Sequence, residues 1–454
     1  MFASFNPRRQ WRPAPPALKP TFHHLYWDIT WFGLFAASTA AFAAVYAARL
    51  GASALQIGLL TAGPAVVNLL FTLPAGSWLH HVPIGKAVFR SAFWARILFL
   101  PWVFLPLLPF YDLQIWLIVG LILLTSIPGT VLAIGFNALY AATVPLEWRG
   151  QVAGIRNALL AVVYVVTSIA CGIILNSLPL ATGYQVIFTI GFIGAAMSTY
   201  HMWKLRDIRE EAVPPTQLRA PLGDYAAPGS VRILGMTVRS TVGLRIFARC
   251  TNLLRPDILR GQYLHLIGAL FLFHFGQYFV IPLFPLRWVE QLGFSDGAIS
   301  LGTAVFYLAV LIGSIPLDGL TRRWGNRRLV AGGAALLSLY PLLTALMTNL
   351  PLYLLTSLLG GLAWAFVGGA LANHLLDNIP TGDRPAHLAW YNFALNAAIL
   401  GGSLVGPMVA ATLGLVNALL VGFVLRLLAG VALWLGGSAA QPADNPSPDT
   451  AGAA

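Results

Sequence analysis

Residues 115–143 read IWLIVGLILLTSIPGTVLAIGFNALYAAT, a run without a single Asp, Glu, Lys, Arg or His. A hydrocarbon layer about 30 Å thick is crossed by about 20 helical residues, so this run spans it with residues to spare. It does not alternate apolar and polar positions as a barrel strand must. Comparable runs lie before and after it: roughly 25–48, 56–79, 88–110, 153–176 and 183–203, then 263–288, 297–319, 329–348, 351–376, 388–412 and 415–436. The two sets are separated by a polar stretch, 204–262. The sequence therefore predicts an all-α polytopic membrane protein of twelve transmembrane helices in two six-helix bundles.

Composition agrees. The 454 residues are 58% hydrophobic and 9% charged, where soluble proteins carry about 25% charged residues. That balance excludes a soluble enzyme, a disordered chain and a small disulfide-stapled domain. The formal net charge of +12 would suggest nucleic-acid binding in a soluble domain, but the placement of the charge points elsewhere. With twelve alternating spans, 24 of the 27 Lys and Arg residues fall on one side, the bias that marks the cytoplasmic face. The reading is an integral protein of the plasma (inner) membrane with both termini cytoplasmic, and no nucleic-acid partner. The domains expected are a cytoplasmic tail (1–24), an N-terminal bundle (25–203), a central cytoplasmic loop (204–262), a C-terminal bundle (263–437) and a disordered tail (438–454). Within the central loop, residues 239–260 suit either a basic amphipathic helix on anionic lipid or a solvated linker.

The halves echo each other. Arg49-Leu-Gly-Ala-Ser53 follows span 1 and Gln291-Leu-Gly-Phe-Ser295 follows span 7. Pro145, Arg149 and Asn157 recur as Pro380, Arg384 and Asn392. The loop after span 8 reads Asp318-Gly-Leu-Thr-Arg-Arg-Trp-Gly325-Asn-Arg-Arg328, and the loop after span 2 contains Gly76, His80, Gly85 and Lys86. With these loops and the six-plus-six layout, the chain resembles the major facilitator superfamily over nearly its full length. In that family's loop motif an acid stands where this chain has His80 in one half and Arg322 in the other. The resemblance implies two pseudo-symmetric bundles rocking about a midplane site, with spans 1, 4, 7 and 10 lining the cavity. Its polar and aromatic residues would be Trp31, Asn137, His274, Gln277, Tyr278, Trp364, Asn373 and His374.

Charges in a membrane are costly, so each raises a functional hypothesis. Asp28 is placed about one turn into span 1 and Arg156 at similar depth in span 5; the resemblance makes these helices neighbours, which implies an ion pair. Loop and gating roles fall to Gly76, His80, Lys86, Glu147, Arg149, Asp318, Arg322, Gly325, Arg327, Arg328 and Arg384, whose basic side chains suit helix C-termini or carboxylates of a neighbouring bundle. Glu147 with Arg149, and Asp377 or Asp383 with Arg384, would form matching clusters. Arg426 lies mid-span as helix-packing glue, with Asn396 at its depth as an acceptor.

No Walker loop, HExxH or CxxC occurs, and the reading includes no catalytic residue, no metal and no cofactor. The expected function is secondary transport of a small, neutral or amphipathic solute by alternating access. A non-transporting receptor or scaffold, or a membrane-embedded enzyme, are the alternatives. Partners would be the small-molecule solute, membrane lipids and, where transport is coupled, a proton or sodium ion; the chain is read as a monomer.

Overall fold

The computed structural model describes residues 15–79, 82–207, 256–380 and 384–436. His80, Asp383, the tail from 438 and residues 239–255 of the expected surface helix lie outside them. The described residues hold twelve helices long and apolar enough to cross a membrane. These are α1 (Lys19–Arg49), α3 (Ile84–Leu107) and α7 (Gly261–Gln291), with α2 (Ala54–Leu79), α4 (Tyr111–Thr143), α5 (Leu146–Ser177) and α6 (Leu180–Lys204). The rest are α8 (Asp296–Ser314), α9 (Leu317–Leu346), α10 (Leu350–Asp377), α11 (Arg384–Leu413) and α12 (Leu415–Leu435).

Local chemistry sets the boundaries. Helix α1 begins at Lys19, earlier than the apolar run alone suggests, because Pro20 in its first turn needs no N–H partner and has its φ pre-set for a helix. Asp28 therefore sits about 13 Å along the helix rather than one turn in. Pro145 and Pro179, extended at ψ 151°, start α5 and α6 after minimal turns. Within α9, Gly325 at φ 78° and ψ 159° kinks an otherwise helical run, in a region that L side chains rarely occupy. Two helices in corresponding positions are interrupted. Helix α1 has a wide turn at Ala36–Ala40, and α7 breaks after Val280, with Pro282 and Pro285 following.

Helices α1–α6 form one bundle and α7–α12 the other. With an even number of crossings, the start of α1 and the end of α12 share a face, called here the terminal face; the other is the far face. Large apolar side chains cover the outside, among them Leu435 (75% exposed), Phe110 (68%) and Ile173 (64%). Such a surface suits hydrocarbon, where the helices satisfy their own backbone groups.

Buried arginines do much of the capping. Arg426, 1% exposed, donates to the carbonyls of Gly276, Gln277 and Leu337 at 3.2–3.3 Å. The reason lies in the prolines. Leu337 is four residues before Pro341, which has no N–H to give it, and Gln277 stands in the last turn of α7 before the break. Asn396 is not the acceptor expected for Arg426; it accepts instead from Asn68 Nδ2 at 3.4 Å. Arg287 likewise caps the end of α9 through the carbonyls of Thr344, Ala345 and Met347.

Candidate functional site

The bundles meet along two seams, α5 against α8 and α2 against α11. At the far face, Arg49 of α1 reaches Asp296 Oδ1 at 3.1 Å and also donates to the Phe294 carbonyl. Tyr184 of α6 donates to the same Asp296 oxygen at 3.1 Å. Asn176 Oδ1 accepts from the Gly297 amide at 3.0 Å. Deeper, Thr61 donates to Ser403 at 2.7 Å, and Thr130, Asn68 and Asn396 form a polar chain at mid-helix.

Each seam depends on a glycine. A Cβ on Gly58 would strike the Ser403 carbonyl and sit 3.0 Å from Pro407, and one on Gly172 would sit 2.6 Å from Ser300. Adding 242 to Gly58 gives Ser300, and adding 235 to Gly172 gives Pro407. The two seams are thus repeat-related, with the glycine on α2 in one and on α5 in the other.

Mid-membrane, the rings of Tyr164 and Tyr307 lie 3.7 Å apart. Around them pack Ile29, Ala36 and Ala37 of α1, Leu160 of α5, Phe306 and Val310 of α8, and Trp364 and Ala365 of α10. This apolar plug draws on both bundles. The seams run from the far face to this level. Helices α4 and α10 form no comparable seam with the opposite bundle.

The residues expected to line the cavity fall into several settings. Asn137 and Asn373 are half-buried, and Asn137 donates to the Ala133 carbonyl of its own helix at 3.2 Å. His274 Nε2 lies 3.2 Å from Tyr391 Oη of α11. Gln277 Oε1 is buried with no hydrogen-bond partner among the described residues. Tyr278 is buried and packs in the C-terminal core, and Trp364 borders the plug. His374 is buried, with Asn378 donating to its carbonyl. Trp31 stacks on Trp27 at 6.3 Å, and Trp27 stacks in turn on His201 of α6.

Asp28 and Arg156 are paired, Nη2 to Oδ2 at 3.3 Å, and Asp28 is 3% exposed. The structure adds a second basic partner. Arg96 of α3 reaches Asp28 Oδ1 at 3.7 Å and Thr199 at 3.4 Å. Ser198 donates to Asp28, and Arg156 also donates to the Leu25 carbonyl.

The other loop residues act mostly near helix ends. Arg149 donates to the Val144 and Ala141 carbonyls at the end of α4, and Arg327 to the Gly436 carbonyl at the end of α12. Asp318 and Arg322 pair at 2.6 Å, both largely exposed. Asp377 accepts from Asn326 at 2.7 Å. Lys86, Glu147 and Arg328 are exposed, Gly76 is helical within α2 and Arg384 opens α11. Among the described residues, no group of three or more His, Cys, Asp and Glu side chains could hold a metal ion.

Comparison with known proteins gives two findings. The family model described as Major Facilitator Superfamily matches residues 266–453. Solved structures match along nearly the whole chain. A bacterial homologue of the iron transporter ferroportin in an inward-facing state has a TM-score of 0.67 at 14% identity, over 93% of this chain and 99% of that one. A D-xylose-proton symporter has a TM-score of 0.64 at 17% identity, over 92% and 97%. A bacterial homologue of the human lysosomal transporter Spinster, inward-facing and unoccupied, has a TM-score of 0.60 at 14% identity, over 93% and 98%. No curated protein sequence matches the chain.

Proposed function

For an integral membrane chain with the major facilitator fold, whose C-terminal bundle matches that family's own model, we propose secondary transport of a small amphipathic solute by alternating access. The observation that carries this reading is the one-sided interface. Ion pair, hydrogen bonds and glycine seams join the bundles from the far face to the tyrosine plug, while α4 and α10 stand without such a seam. Rocking the bundles about the plug would part these contacts and close the terminal side, the reciprocal motion that alternating access requires.

The solute class follows from the plug and from α4 and α10. The plug is aromatic and apolar, and Asn137 and Asn373 are half-buried polar side chains on α4 and α10. Such a surface suits a molecule with an apolar body and a few polar atoms. The proposal takes the terminal face as cytoplasmic, in line with the bias of basic residues, and assigns the chain no chemical step.

The test is uptake of radiolabelled amphipathic solutes into proteoliposomes of the purified protein, with and without imposed proton or sodium gradients. Saturable uptake above protein-free vesicles supports the proposal. Purely passive, non-saturable flux across a broad solute panel contradicts it.

A further inference from the structure

The Asp28 cluster is out of charge balance. Two guanidiniums, Arg96 and Arg156, share one carboxylate, and the remaining contacts are neutral: Ser198, Thr199 and the Leu25 carbonyl. A buried ion costs several kcal/mol unless paired or well hydrogen-bonded; Arg426 has three carbonyls to receive it, whereas the surplus positive charge here is met by one carbonyl, Leu25, and one hydroxyl, Thr199, which leaves a place for a counter-charge. Asp28 and Asp296 are the buried carboxylates of the described residues, and Asp296 is engaged by Arg49 at the far face.

Arg96 is also loosely held, its described contacts standing at 3.4 and 3.7 Å, long for charge-assisted bonds. Both arginine side chains keep about a tenth of their surface accessible. Arg156 lies over the half-buried ring of Phe136 at 4.8 Å, on α4, which has no seam with the opposite bundle. Along α5, Tyr164 of the plug is two turns away, about 12 Å.

We propose that Arg156, backed by Arg96, forms a subsite for a single anionic group on the solute, whose apolar body extends to the Tyr164–Tyr307 plug. The ligand class is an amphipathic monoanion, such as an arylalkanoate. This rests on the transporter reading above and narrows its substrate. Asp28 repels the incoming anion but holds both guanidiniums in place, so one anion neutralises the cluster and a dianion overshoots it.

The experiment uses the full-length purified protein and matched probes: ω-phenylalkanoates with two to six methylenes, and their primary amides, which keep shape and lose charge. Binding is read by calorimetry. The expected result is at least one carboxylate binding about tenfold or more tighter than its amide. Arg156→Gln abolishes that preference, so that acid and amide bind alike, Arg156→Lys retains part of it, and Asp28→Asn increases it. Should Arg156→Gln fail to fold, Arg96→Gln carries the same test with a smaller loss. Equal binding of acid and amide, a preference unmoved by both arginine variants, or no binding of any carboxylate in the series overturns the subsite. Saturable uptake of neutral solutes alongside any of those results leaves the transporter reading standing.

Discussion

Arg49 and Asp296 join the two halves of the chain across the far face, Nε to Oδ1 at 3.1 Å, with Tyr184 donating to the same oxygen. Asp296 opens α8, with Ser295 as its N-cap, so the helix dipole favours its charge as Arg49 does. The pair is partly exposed, at 21% and 9% of the side chains. We expect Asp296→Asn or Arg49→Gln to cost the far-closed state about 1–2 kcal/mol, roughly tenfold in the far-open population. With Cys171 and Cys250 replaced, maleimide labelling of Thr303→Cys should accelerate in either variant; an unchanged rate would show that this contact does not hold the face shut.

The glycine seams make a second prediction. Valine at Gly58 or Gly172 places side-chain atoms where Ser403, Pro407 or Ser300 already lie, and overpacking of this kind costs about 1–3 kcal/mol. Because each clash arises only when the seam is closed, Gly58→Val and Gly172→Val should favour far-open forms and slow transport while the protein still folds. Far-face labelling and solute flux together check this. Normal flux in both variants would mean the seams never tighten during the cycle.

Arg426 tests the capping account. Arg426→Leu leaves the carbonyls of Gly276, Gln277 and Leu337 without this donor, at about 1–3 kcal/mol for each one orphaned, partly offset because a cation no longer has to be buried. The thermal unfolding midpoint should fall in Arg426→Leu and recover in part in Arg426→Lys. A midpoint equal to the parent's would show that the proline breaks are satisfied some other way.

The plug supplies the fourth prediction. Removing a packed aromatic ring costs about 3–5 kcal/mol, and Tyr307→Ala would open a passage where Tyr164 and Tyr307 meet. Vesicles holding this variant should leak a small neutral solute that the parent retains, while Tyr307→Phe stays tight. Equal retention by Tyr307→Ala would place the barrier elsewhere.

Much of this architecture is legible in the sequence because lipid imposes long, charge-free runs and the duplication repeats them. The Asp28–Arg156 pair follows from depth along two helices that the resemblance makes neighbours. Arg96 escapes that reasoning, because its depth in α3 says nothing of which helix it faces. The Arg49–Asp296 pair also escapes, since both residues read as loop charges until folding brings the two repeats' first loops together. For Arg426 the useful signal lay in Pro341 rather than in Asn396. A proline orphans the carbonyl four residues earlier, and that carbonyl is where a buried donor goes.

Reciprocal motion of the two faces is the central claim, and paired distances between spin labels test it most directly. On a background lacking Cys171 and Cys250, one pair would sit at the exposed positions Glu147 and Arg323 on the terminal face, and the other at the exposed positions Ser177 and Thr348 on the far face. Introducing Asp296→Asn into each should lengthen the Ser177–Thr348 distances and shorten the Glu147–Arg323 distances in the same protein. Distances that stay fixed on both faces, or that change in the same direction, would contradict alternating access in this molecule.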